Sequence, residues 1–243
     1  MDTATHFVIG LGLAGLAHID PAIASDPTAS TAVLIGTALG SQAPDADSLV
    51  RFKGNAAYVR NHRGRSHSLP AVFIWTGLIT AFLAVLFPGI PVSHVGLWVL
   101  IAVGVHVFTD LFNAYGTQAL WPFSPKWIAW NIIHIFDPVI FFAHLVAVLL
   151  WLARAASPAF LFPALYALIA VYYVWRTAVH FYVKRQIVRQ DRHHESGDRY
   201  DLVPTVRLNV WNVLKRTKDG QFLTGEFRNN RLRWVDRAQP SNH

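Results

Sequence analysis

Four long apolar runs, at about residues 69–87, 94–113, 130–152 and 159–182, punctuate the chain. Each is close to the ~20 residues a helix needs to cross the hydrocarbon core of a bilayer. Two shorter runs, about 5–18 and 29–43, are rich in Gly and Ala, which lets helices approach one another closely inside a bundle. They are expected to form a helical pair that brings the chain back to the side it started from. Beyond Lys184 the pattern changes to a polar stretch, Gln190 to Arg199, and then to alternating segments such as Val206–Trp211 and Leu232–Val235. Asp219-Gly220 between such runs reads as a hairpin turn. The expected fold is an all-α polytopic membrane helix bundle of about six hydrophobic helices, the first two short. It occupies residues 1–183 and is followed by a small β-rich tail over 184–243.

Composition strengthens the membrane assignment: 53% of the residues are hydrophobic and only 14% charged, a balance uncommon in soluble domains of this length. The absence of cysteine excludes disulfides, thiolate metal sites and cysteine nucleophiles together. Any transition metal must therefore be held by imidazole and carboxylate. The net charge of +7 is uneven, because residues 184 to 243 hold thirteen Lys and Arg against seven Asp and Glu, and the preceding part eight against seven. A basic tail after hydrophobic spans is expected as a cytoplasmic flank drawn to anionic lipid, with nucleic acid an unlikely partner. The loop carrying Arg51, Lys53, Arg60, Arg63 and Arg65 is cytoplasmic by the positive-inside rule. With an even number of crossings, both termini and the Gly116–Trp127 loop share that side. Residues 1–18 carry Asp2 and His6 where a cleavable signal has its positive region, so the first apolar stretch is expected to stay.

Four groups of ionisable residues lie at the ends of the hydrophobic segments: His6, Asp45 with Asp47, His62 with His67, and His106 with Asp110. The expected topology puts all four at the cytoplasmic end. His106 and Asp110, four apart, project from one face of an otherwise apolar helix, a spacing that suits two ligands of one ion or a hydrogen bond that locks the bundle. Asp45 and Asp47 in a Pro-containing turn can converge on a cation or stay solvated. Gly64 lets the loop between His62 and His67 fold so that both imidazoles point inward. Together these residues supply enough ligands for one or two divalent ions, with Zn, Mn and Fe all admitted by mixed His and Asp ligation. Two-metal hydrolytic sites use such sets to activate water, with the ions roughly 3.5–4 Å apart. Arg63 and Arg65 are positioned to neutralise an anionic or phosphorylated substrate. Ser66, Asn113 and Asp137 are candidates for supporting the ligands, and Asp137-Pro138 also has the form of a helix N-cap.

The ordered set Thr5-His6, Pro44-Asp45-Ala46-Asp47, His62-Arg63-Gly64-Arg65-Ser66-His67-Ser68, His106-Val107-Phe108-Thr109-Asp110 and Asn113-Ala114-Tyr115-Gly116-Thr117 resembles the YdjM-like family of bacterial inner-membrane proteins. Trp121-Pro122-Phe123-Ser124, Asp137-Pro138 and the tail around Trp211 fit the same pattern, with Ser66 standing where members commonly carry Thr. The resemblance implies a helical membrane protein described as a metal-dependent hydrolase. The LexA-binding or LexA-regulated label that some members carry is not transferred.

The expected function is a membrane-embedded metal-dependent hydrolase in which a metal-bound hydroxide attacks a phosphoester or lipid-derived ester at the cytoplasmic face. The rivals are a non-catalytic membrane protein with a structural or sensory metal site and an ion or solute transporter. Transport would call for polar groups near the bilayer midplane, whereas these residues gather at one end.

Overall fold

A computed structural model describes residues 1–53 and 63–238. Four of its helices begin at an Asp-Pro or Ser-Pro pair, at positions 20–21, 26–27, 137–138 and 157–158. The acid or hydroxyl residue takes the N-cap, and proline follows where its missing N–H costs nothing and its fixed φ already suits the helix. The helices of the described residues are α1 (Thr3–Leu16), α2 (Pro21–Ala24), α3 (Pro27–Gly40), α4 (Leu69–Leu86), α5 (Val92–Asp110), α6 (Pro138–Leu152) and α7 (Pro158–Gln190). A 3-10 stretch, Ala43–Lys53, follows α3, and a single 3-10 turn, Arg65–His67, precedes α4.

Among the described residues, α4, α5 and α7 are long and apolar enough to cross a membrane. Thr3–Ile19 and α6 are apolar but shorter, so the expectation of about six hydrophobic membrane helices is corrected to three candidate spans. The reason lies in where helices start. The apolar run at 130–152 does not become one helix, because Asp137 accepts hydrogen bonds from the Val139 and Ile140 amides and starts α6 there. Its 15 residues then rise only about 22 Å against a ~30 Å hydrocarbon core. With 14 residues each, α1 and α3 reach about 21 Å.

Small residues bring these short helices together. A Cβ on Gly10 of α1 would strike the Ser41 side chain and the Thr37 carbonyl, and one on Gly36 of α3 would meet Val99 and Leu83 at 2.7 and 2.8 Å. As a result α1 packs against α3 on one side and against α6 and α7 on the other, while α3 packs on α5 and α5 on α4. One apolar core built around Val33, Leu83, Val95 and Val99 joins α3, α4 and α5. A second, around Ile9, Leu13, Ile133 and Ile140, joins α1, α6 and the irregular segment between α5 and α6.

The C-terminal region is a four-stranded antiparallel meander, β1 (Arg199–Pro204), β2 (Val210–Arg216), β3 (Phe222–Arg228) and β4 (Arg231–Ala238), paired in sequence order. The Val206–Trp211 segment contributes only its last two residues to a strand, since the Val210 amide turns back onto the Arg207 carbonyl. Asp219-Gly220 lies in the β2–β3 turn, with Gly220 at φ 81°. The β3–β4 turn has Asn229 and Asn230 both at positive φ, the geometry that matches strand twist in two-residue hairpins. One sheet face, with Tyr200, Leu202, Trp211, Val213 and Phe227, buries Val183 and Ile187 of α7. Arg176 of α7 secures the joint by donating to the carbonyls of Leu208 and Ile132, with its guanidinium over the Trp211 ring.

Lys215 holds this tail from within. Its Nζ donates to Asp191 at 2.6 Å, to Asp198 at 2.8 Å and to the His193 carbonyl at 2.7 Å. Burial works to lower the Lys215 pKa, and the two carboxylates overcome it and raise it. The Lys215 ammonium in turn holds the Asp198 carboxyl down at about 2. A carboxylate depressed in the folded state adds stability that is present above its unfolded pKa, about 3.9, and disappears as pH falls through the folded value. The tail should therefore lose amide protection in hydrogen exchange between about pH 4 and 2. Lys215→Met should lower its stability at neutral pH by about 2 kcal/mol and flatten that acid limb; an unchanged acid profile in the variant would assign the limb to other groups.

Candidate metal centre

At the end of the bundle where α1 begins and α5 finishes, four side chains from three segments converge. Asp45 comes from the 3-10 stretch after α3, His67 from the turn before α4, and His106 and Asp110 from the last turns of α5. One ligand atom from each lies within 4.8 Å of every other. The His67 and His106 Nε2 atoms are 3.2 Å apart. His67 Nε2 is 3.4 Å from both Asp45 Oδ1 and Asp110 Oδ2, and His106 Nε2 is 3.6 and 3.7 Å from the same two oxygens. A tetrahedral ion with ligand bonds of about 2.0–2.1 Å requires ligand–ligand edges of about 3.3–3.4 Å. The five distances bracket that value.

The hydrogen bonds around the cluster leave lone pairs facing its centre. His106 Nδ1–H donates to the Ser41 carbonyl at 2.6 Å, which commits Nε2 to be an acceptor. His67 Nδ1–H donates to Ser66 Oγ at 2.9 Å, and the Ser66 hydroxyl donates onward to Asp47. Asp45 Oδ1 and Asp110 Oδ2 are buried without a hydrogen-bond partner. Two imidazole lone pairs and two buried carboxylate oxygens thus point at one another, an arrangement that repels itself unless a cation or a shared proton joins it. Burial lowers the His67 pKa to about 4, so its ring is neutral and ready to ligate at pH 7.

The second oxygen of Asp110 serves a second cluster. Oδ1 lies 3.2 Å from His6 Nε2, 3.1 Å from Asn113 Nδ2 and 3.4 Å from Arg63 Nη2, and the Met1 amino group rests against it. The His6 ring stacks on His106 with centroids 3.7 Å apart. Arg63 adopts a left-handed φ of 62°, a conformation that costs energy for a non-glycine residue. The strain is offset by the contacts it makes: its amide donates to Asp47 at 2.8 Å, and its guanidinium to Asn113 Oδ1 at 3.0 Å and the Met1 carbonyl at 2.8 Å. Asn113 Oδ1 also accepts from the amides of Tyr115 and Gly116, which fixes the turn after α5. Gly116 is required there, because at φ 61° a Cβ would run into the Ile128 carbonyl.

The structure therefore places Asp45, His67, His106 and Asp110 together, with His6 on the outer oxygen of Asp110 and Asp47 on the far side of the His67 ring, its Oδ2 3.6 Å from Nδ1. Ser66 and Asn113 contact the ligands. Arg65 is exposed, with its guanidinium over the Trp121 ring. Asp137 caps α6 and accepts from the Tyr172 hydroxyl at 2.7 Å. His62 lies outside the described residues. Pattern reading missed the Ser41 carbonyl and Met1; a backbone oxygen and a chain-end methionine carry no sequence signal.

Apolar helices long enough to span, closed at one end by a buried His/Asp cluster of tetrahedral dimensions, define a membrane protein with a possible metal centre. Its sequence agrees: the chain belongs to the YdjM inner membrane protein family, whose pattern it matches over residues 1–182. It is also 44% identical over 217 residues to the uncharacterized protein YfhP of Bacillus subtilis, an alignment covering 89% of this chain and 65% of that one. The chain thus spans just under two thirds of that relative's length. No solved structure matches it.

Asp45→Ala and His106→Ala should abolish stoichiometric binding of a divalent metal, read by elemental analysis of protein that still inserts. Asn113→Ala, which frees Asp110 to reorient, should weaken metal affinity about 10–100-fold without abolishing it. Full occupancy in both of the first two variants would show that the four side chains are not the ligands.

Proposed function

We propose that the protein is a membrane-embedded metal-dependent hydrolase acting at the cytoplasmic face on a phosphoester or lipid-derived ester. The observation that carries this reading is the pair of buried, unpartnered carboxylate oxygens aimed with two neutral imidazole nitrogens at one point. Asp45, His67, His106 and Asp110 would hold a divalent ion, with Zn, Mn and Fe all suited to the donor set. When bound, such an ion supplies Lewis acidity and lowers the pKa of a coordinated water.

The remaining residues have supporting tasks. Asp47 and Ser66 keep the His67 Nε2 lone pair directed inward, the role of outer hydrogen bonds on metal-ligating histidines. Asp110 turns its Oδ1 towards His6 and the Met1 amino group, which leaves its Oδ2 for the ion. Arg63, beside this oxygen, neutralises charge on an anionic substrate, and Arg65 at the surface draws such a substrate in. The cytoplasmic assignment rests on charge. Met1, the centre and the basic tail lie at one end of the bundle, tied by the Asp2 amide to the Ile135 carbonyl and by Arg176 to Leu208. That end carries Arg63 and Arg65, the kind of charge the positive-inside rule expects of a cytoplasmic face.

The test is to purify the full chain in detergent, measure bound metal, and assay phosphoesters and carboxylic esters, including phospholipids. Metal-dependent turnover that falls by at least about 100-fold in Asp45→Ala is the expected result. Tight metal with no turnover on any substrate, together with unfolding on chelation, would make the centre structural.

A further inference from the structure

A second feature opens beside the centre. Between α5 and α7, with α1 and α6 as its floor, runs a groove of about 470 Å³ whose walls include Ile101, Val105, Phe108, Ile169 and Ala170. Its size is that of a small-molecule site, and its lining is almost wholly apolar. From Ile101 to Thr109 the helix advances about 12 Å, which stays within the ~15 Å of one bilayer leaflet. The groove is continuous with the surface that α5 and α7 turn to the bilayer, where Phe108 is 53% exposed and Leu168 69%. What meets it there is lipid.

Two details mark it as more than a packing gap. His144 lines the groove and spends its Nδ1–H on the Ile140 carbonyl at 2.7 Å, leaving Nε2 an acceptor, buried and unpartnered. An unsatisfied polar atom in an apolar medium is costly, and a water drawn in beside a bound lipid can satisfy it. At one end the groove comes within one residue of the centre. Met1 rests its amino group against Asp110 while its thioether sulfur accepts from the hydroxyl of Tyr173, a groove residue, 3.8 Å away. Met1 thus joins cluster and groove, its amino group on one and its sulfur against the other.

We infer that this groove binds one acyl chain of a membrane phospholipid and so presents the lipid's polar head to the centre. The inference rests on the hydrolase reading for the head, but the binding of the chain is tested without turnover. The full-length protein is reconstituted in vesicles containing a phosphatidylglycerol with a diazirine on one acyl chain, illuminated, and the labelled peptides are mapped by mass spectrometry. Labelling should concentrate on the groove walls of α5 and α7. It should fall roughly tenfold in Ala170→Trp and in Val105→Phe, which fill the groove by different side chains, with metal content unchanged. Leu168→Trp, on the outward face, should leave it intact.

Labelling spread evenly over the lipid-facing surface, or indifferent to both filling variants, overturns the inference. Cross-linking of a photoreactive residue at position 170 to a second protein chain, in place of lipid, does so too. Failure of the hydrolase reading looks different: groove labelling would persist while no lipid is turned over by the metal-loaded protein. Phospholipid turnover with diffuse labelling would remove the groove alone.

Discussion

The fold is organised around the burial of a carboxylate. Asp110 is fully removed from solvent at the end of an apolar helix, and an isolated charge there would cost several kcal/mol. The surrounding structure answers each oxygen separately. Oδ1 receives Asn113, His6, Arg63 and the Met1 amino group, whereas Oδ2 is turned towards two imidazole nitrogens and a second carboxylate. The first oxygen is satisfied by the protein itself. The second has no hydrogen-bond partner among the described residues, and this asymmetry sets the cluster apart from an ordinary buried ion pair.

Meeting that demand constrains distant parts of the chain. His6 reaches Asp110 only if α1 lies close to α5 and α3, which explains why Gly10 and Gly36 stand where a methyl group would collide with a neighbour. Ser41, whose side chain abuts Gly10, gives its carbonyl to His106. Close packing of short helices and orientation of a ligand are therefore one event. Arg63 shows the same economy: its left-handed backbone points the amide at Asp47 while the guanidinium reaches Asn113 and the Met1 carbonyl, so one strained residue links three segments of the site.

Much of this was legible in the sequence, and the parts that were not failed for identifiable reasons. His106 and Asp110 are visible because helical spacing predicts a shared face, and Asp45 and His67 because each is an ionisable residue at the edge of an apolar run. The number of membrane helices was misread because hydropathy counts apolar residues without asking whether they are helical. Trp130, Ile132 and Ile133 are apolar, yet their amides bond to the carbonyls of Leu111 and Phe112, so they form an irregular segment, with Ile132 and Ile133 in the core beside Met1. Asp137 then starts the helix anew. The Asp-Pro pair held that information; the length of the apolar run obscured it. The groove was invisible for a different reason, since its walls come from helices far apart in sequence and consist of residues that any membrane helix uses.

The division of labour on α5 follows from helical geometry. Val99, Val103, His106 and Asp110 repeat at intervals of four, three and four and are buried, forming the stripe that faces α3, α1 and the centre. Ile101, Val105, Phe108 and Phe112 repeat the same intervals two positions later and line the groove. Two residues correspond to about 200° of rotation, so the two stripes lie on nearly opposite sides of one helix. A rigid element with the ligands on one side and the proposed chain site on the other fixes the distance between them, in the way that functional groups built on helices are held more closely than those on loops. His6 and Ile9 repeat the arrangement on α1, one ring stacked on His106 and one side chain in the groove. Because both helices that frame the centre also frame the groove, a shift of α1 against α5 that loosened the ligand set would also change the width of the groove. Packing would thereby couple the centre to the proposed chain site.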